Sequence, residues 1–254
     1  MRILITNDDG IYAEGIQALR KAFAKLGEVT VVAPDREKSA TGHCITVHHP
    51  IRVEELCFID EPCQAWAVDG TPSDCVKIAV QNLLDQPPDL IVSGVNRGPN
   101  LGTDVLYSGT VSAAIEGAIE GFPSLAVSLA SFENNDYTYA AEFATRVGRL
   151  MVEGGLPAGT LLNVNVPALP KEEIQGISIS RLGNRRYKNI FDKRTDPRGK
   201  IYYWMAGEVH DLDDDDPLTD VAAINRKEIS ITPIHFDLTN YQIMDLVKEF
   251  GFKI

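Results

Sequence analysis

The stretch RILITNDDGIYAEGIQALRKAFAKLGEVTVVAPD, residues 2–35, decides the fold. RILIT is a short apolar run of the kind that forms a buried strand. In IQALRKAFAKLG, Ile16, Leu19, Phe23 and Leu26 recur at helical spacing, and Gly27 supplies a stop. EVTVVAPD is a second apolar strand. Strand, helix and strand in this order make a βαβ unit, whose crossover is expected to be right-handed.

The alternation continues outward from that unit. Residues 44–54 and 64–68 read as shorter strands, a hairpin turning near His49-Pro50. GTPSDCVKIAVQNLL reads as a helix with Thr71 as N-cap, Pro72 in the first position and Asp74 in the third, a carboxylate variant of the capping box. Residues 89–95 form a strand, 110–121 a helix rich in Ala and Gly, 124–130 a strand, 137–152 a helix and 160–167 a strand. Such repeats indicate an α/β fold: a doubly wound, mostly parallel, Rossmann-like sheet in three layers.

The composition changes near residue 177. Eight basic residues between Arg181 and Lys200 face only Asp192 and Asp196, and the acidic run DLDDDDP follows at 211–217. We expect a catalytic domain over 1–176 and a β-rich extension arm over 177–254. The arm ends in a short helix near 241–250 and packs on the core and on a partner subunit.

Lys and Arg total 24 against 36 Asp and Glu, a net charge of −12. That field repels phosphate and argues against nonspecific binding of a nucleic-acid polymer or an anionic membrane. The apolar part of MRILITNDDG is too short for a signal-peptide core, and no apolar run approaches the roughly 20 residues of a membrane span. The four cysteines form no C-x-x-C pair. Reduced thiols and a cytoplasmic location are the expectation.

Ligands of open α/β sheets bind beyond the carboxyl ends of the strands. Three polar loops are expected to meet there. Asn7-Asp8-Asp9-Gly10 follows the first strand. Its adjacent carboxylates repel each other, and Mg²⁺ or Mn²⁺ would relieve the repulsion through hard oxygen ligands. The competing reading makes one aspartate a helix cap and leaves the other solvated. In the loop 34–40, Ser39 is either a neutral oxygen ligand or a turn serine. In SGVNRGPNLGTDVLYSGTV, residues 93–111, the Asn96 amide oxygen can reach a metal. Ser108-Gly109-Thr110 opens a helix whose free N–H groups suit a phosphate.

ILITNDDG, DREKSATG, VDGTPSDCV, SGVNRGPNLGTDVLYSGTVSAA, LNVNVP and ITPI occur in this order. Together they resemble the SurE (survival protein E) family of metal-dependent nucleotidases over essentially the whole chain. The resemblance implies hydrolysis of nucleoside monophosphates, and in some members of short polyphosphate. It implies one Mg²⁺ or Mn²⁺ per subunit on Asp8, Asp9, Ser39 and Asn96, with Asp8 and Asp9 catalytic. Ser108, Gly109 and Thr110 would cradle the phosphate, with Asn96 alongside. A homodimer or homotetramer, with the arm between subunits, is implied too. Family members often carry a small residue and Asn after the metal-binding serine, where this chain has Thr41-Gly42-His43-Cys44. His43 therefore has two readings: a substrate-phosphate contact that assists the leaving group, or a strand-start residue without a catalytic role.

Other patterns fail on spacing. His43, Cys44, His48 and His49 match no zinc pattern. Asp211, Asp213 and Asp215 are spaced like calcium ligands, but Asp216 and Ala222 stand where that loop needs Gly and Glu. There is no dinucleotide fingerprint and no P-loop. A non-catalytic nucleotide-binding or receiver-like signalling module is the alternative. A receiver needs a phospho-accepting Asp after its third strand, where this chain has Asn96.

Overall fold

Runs of apolar residues, separated by polar turns, place the strands. In a computed structural model, which describes residues 1–58, 63–188, 190–213 and 216–252, they form β1 (Arg2–Thr6), β2 (Glu28–Pro34), β3 (Val53–Leu56), β4 (Gln64–Val68), β5 (Leu90–Arg97), β6 (Ser124–Leu129) and β7 (Thr160–Val166). The helices between them are α1 (Glu14–Phe23), α2 (Pro72–Ile78), α3 (Gly109–Ile119) and α4 (Thr138–Gly154). After β7 come β8 (Gly176–Ile179), β9 (Arg185–Lys188), β10 (Phe191–Thr195), β11 (Ile201–Met205), β12 (Glu208–Asp211), α5 (Asp220–Asn225), β13 (Glu228–His235) and α6 (Met244–Glu249).

Nine strands share one sheet in the order β3-β4-β2-β1-β5-β6-β7-β13-β8. From β4 to β7 every pair is parallel, whereas β3 and β13 each run antiparallel to their inner neighbours β4 and β7. Ile3 and Ile5 of β1 join the core under α1 and α4, while Leu4 joins the one under α2. Strand alternation thus sends side chains to both helical layers, as a doubly wound sheet requires. Among the described residues, no helix is long and apolar enough to cross a membrane.

Two expectations need correction. Residues 44–52 are not a strand, and the hairpin does not turn at His49-Pro50; it joins β3 to β4. Ile45 and Val47 alternate like strand residues but are exposed. The segment bonds to the start of α2 instead of a sheet neighbour: Thr71 Oγ1 donates to the Cys44 carbonyl (2.7 Å) and the Thr46 N–H to Asp74 Oδ1 (2.9 Å). The capping box of α2 forms as its sequence indicates. The acidic run is also less solvated than its charge suggests. Asp211 pairs with Arg185 (2.8 Å) and Asp213 with Arg181 (3.3 Å); Asp215 lies outside the described residues.

Candidate active site

β1 hands the chain to a tight turn. The Asn7 side chain accepts the Gly10 N–H (3.2 Å) and donates to the Gly10 carbonyl (2.9 Å), fixing Asp8 and Asp9 between them. Gly10 has φ +102°, a conformation that residues with a Cβ avoid. The loop after β2 crosses this turn, where the Lys38 N–H donates to the Asp8 carbonyl (2.7 Å).

The start of α3 presses on Asp8. Thr110 donates its hydroxyl to Asp8 Oδ1. A Cβ on Gly109 would stand 2.7 Å from the Asp8 Cβ and 2.9 Å from its Oδ2, so only glycine permits this approach. Ser108 caps the helix by accepting the Val111 N–H (3.1 Å). Asp9 is half-buried, and its Oδ2 accepts the Arg97 N–H from the end of β5 (3.3 Å). The neighbouring Asn96 donates its amide to the Gly98 carbonyl (2.8 Å), which leaves its oxygen as the free end.

Asp8, Asp9, the Asn96–Arg97 strand end and the α3 start are thus joined by direct bonds or contacts. Ser39 is tied in through Lys38, but its exposed hydroxyl donates to Glu37 (2.7 Å) and not to either aspartate. His43 is not at a strand start, because no strand begins there. Its Nε2 lies 2.8 Å from Glu116 Oε2, and Lys77 Nζ lies 2.6 Å from the other oxygen of that carboxylate. The Gly42 N–H donates to the Tyr107 carbonyl (3.0 Å), so this segment is also fastened to the loop that precedes Ser108.

Burial dominates the electrostatics. It lifts the Asp8 carboxyl from 3.8 to about 6; the Thr110 hydroxyl opposes the rise and the Asp9 charge adds to it. Asp9 is lifted too, by burial first, with the Arg97 N–H opposing. Glu116 is held below the usual carboxylate range by His43 first, against its burial, with Lys77 reinforcing. Among the described residues, no three His, Cys, Asp or Glu side chains cluster for a metal. The aspartate pair could supply the charged part of a ligand set, completed by neutral oxygens. That set fits a hard dication, whose charge would offset the cost of ionising two crowded carboxylates.

Sequence reading missed several residues. Glu116 and Lys77 sit inside helices whose pattern gives no sign of a site. Asp220 accepts N–H groups from Gly102 (2.8 Å) and Gly183 (2.9 Å), tying the extension to the loop before α3. Its start-of-helix position was the one available signal.

The sheet defines a doubly wound α/β protein whose polar loops meet at its carboxyl edge. The family model "Survival protein SurE" matches residues 3–189. The chain belongs to this family. It is 60% identical to the 5′-nucleotidase SurE of Heliobacterium modesticaldum, over 98% of this chain and 91% of that one. It is 59% identical to the 5′-nucleotidase SurE of Pelotomaculum thermopropionicum, over 98% and 95%. The crystal structure of the SurE protein from Aquifex aeolicus superposes with a TM-score of 0.86 at 42% identity, covering 99% of this chain and 100% of that one.

Proposed function

We propose that this chain is a divalent-cation-dependent nucleotidase that hydrolyses nucleoside 5′-monophosphates to nucleoside and phosphate. The observation that carries the reading is the contact of Gly109 and Thr110 with Asp8. It sets a helix start, whose first N–H groups have no partner within the helix and of which that of Thr110 reaches the Asp8 carboxyl, against a carboxylate pair. Without a cation this arrangement would bring phosphate to two negative charges; with one it is complementary to phosphate. The names of the relatives, 5′-nucleotidase, support the substrate class.

Asp8, Asp9, Asn96 and Ser39 would hold the ion, Mg²⁺ or Mn²⁺, one per subunit. Ser39 would turn from Glu37 to do so. When bound, the ion supplies Lewis-acid activation and neutralises phosphate charge. Ser108, Gly109 and Thr110 would cradle the equatorial phosphoryl oxygens as charge develops on them, the N–H groups of Ser108 and Gly109 donating while that of Thr110 stays on the Asp8 carboxyl. Asp8 is committed to Thr110, which fixes its plane. Asp9 is more open, and among the described residues its Oδ1 accepts no hydrogen bond, so we assign Asp9 to orient the attacking water. His43 is given no chemical step, since its ring faces Glu116.

We place the chemistry in residues 1–176 and packing on a partner subunit in 177–254. Exposed apolar side chains on the β10–β11 ribbon, Phe191, Tyr203, Trp204 and Met205 among them, support a homodimer or homotetramer. The cytoplasm is the proposed location. The test is a phosphate-release screen over nucleoside 5′- and 3′-monophosphates, polyphosphate and p-nitrophenyl phosphate, with Mg²⁺, Mn²⁺ or chelator. Metal-dependent release from 5′-monophosphates is expected. Release that survives chelation, or none from any substrate, would overturn the reading.

A further inference from the structure

The loop between β5 and α3 carries Asn96 at one end and Ser108–Thr110 at the other. Its middle is buried against the sheet, where irregular backbone has no helical ladder to satisfy it. Asn100 is buried there, and side chains meet both its backbone groups. Its N–H donates to Asn165 Oδ1 (2.8 Å). Its carbonyl accepts from Asn165 Nδ2 (2.9 Å) and from Asn163 Nδ2 (2.9 Å). Its own amide donates to Ser128 Oγ (2.9 Å). The paired bonds from Asn165 imitate one rung of a strand ladder. Asn163, Asn165 and Ser128 are all fully buried, on β7 and β6.

We infer that Asn163, Asn165 and Ser128 are positioning residues that clamp Asn100 and so hold Asn96 and the phosphate-binding helix start in register. This rests on the nucleotidase reading for its kinetic consequence, though not for the clamp itself. Three polar side chains occupy a sheet face where apolar ones would pack without penalty. Asn163 leaves its Oδ1 without a hydrogen-bond partner among the described residues, and that desolvation costs stability. Sites that accept such a cost are those where function requires it. The clamp also explains the LNVNVP motif, whose two asparagines touch neither aspartate.

The experiment replaces Asn165 with Leu, which keeps the number and branching of side-chain heavy atoms and removes both bonds. Hydrogen exchange of the whole protein and steady-state phosphate release are measured on the same preparation. Amides of residues 100–102 should exchange faster while those of α1 and α4 keep their wild-type protection. Turnover per folded molecule should fall about 10- to 100-fold, as expected for misplaced reacting groups. A purely structural role would instead loosen α1 and α4 together with the loop. Should Asn165→Leu fail to fold, Ser128→Ala removes one acceptor, with the same local exchange signature and about a fivefold loss of turnover. Wild-type exchange at 100–102, or wild-type turnover, would overturn the inference. An inactive wild type would overturn the nucleotidase reading, and the exchange pattern would still decide on the clamp.

Discussion

The two faces of the central sheet are built differently. Under α1 and α4, Ile3, Ile5, Phe23, Leu90, Val92, Leu125, Val127 and Val164 belong to one continuous apolar core. Under α2 and α3 the apolar residues split into two smaller groups, one with Leu4, Val32 and Ile91, the other with Val105, Val111 and Leu161. Along the strands of this second face, buried polar residues replace apolar ones toward the carboxyl ends: Thr6, Ser93, Ser128, Asn163 and Asn165. One layer supplies cohesion by area removed from water. The other gives up part of that cohesion to hold loops, a carboxylate and a helix start.

That contrast is open to attack from either side. Phe23 is fully buried in the apolar face, and Phe23→Ala should cost about 3–5 kcal/mol in denaturant unfolding. Turnover per folded molecule should stay near wild type. A specific loss of turnover would mean that the two faces are not separable.

On the polar face the signs reverse. Asp8→Asn and Asp9→Asn should each lower phosphate release by at least ~100-fold, since each would remove a carboxylate proposed to hold the ion. Asp8→Asn should also stabilise the metal-free protein. The folded state raises this carboxyl from 3.8 to about 6, so the folded form binds the proton more tightly. Stability from this group is full below pH 3.8 and is lost as pH rises through 6. Above that range the cost is about 3 kcal/mol as an upper bound. Asparagine never ionises, so its gain in chelator should be seen at pH 7.5 and vanish near pH 3.5. A variant that is less stable than wild type at pH 7.5 would refute the account of Asp8.

Smaller still is Ser108→Ala. It removes a cap worth about 1 kcal/mol, while the backbone N–H groups proposed to hold phosphate remain. Melting should drop slightly and turnover by only a few-fold. Loss as deep as that of Asp8→Asn would give the serine hydroxyl a chemical role.

The sequence made the apolar face plain and the polar face only partly so. Continuous apolar runs such as RILIT and EVTVVAP are too short for core helices and read as interior strands, and α1 shows its buried stripe directly. The aspartate pair and the glycine-rich loop were visible because crowded charges and glycines are costly unless used. Asn163 and Asn165 were not visible. LLNVNV alternates polar and apolar residues as a half-exposed strand does, and a single chain does not distinguish a polar face in water from one buried under a loop. Residues 44–52 misled for the related reason that alternation appears without a sheet to pair with. Glu116 was hidden because its partners, His43 and Lys77, come from distant segments.

The Asp220 carboxylate, shared between Gly102 and Gly183, has a mechanical consequence. It rivets the base of the extension to the loop that ends at Ser108, and the Arg185–Asp104 pair (3.3 Å) adds a second rivet close by. A displacement of the extension at Gly183 or Arg185 would therefore be passed to the loop that ends at Ser108.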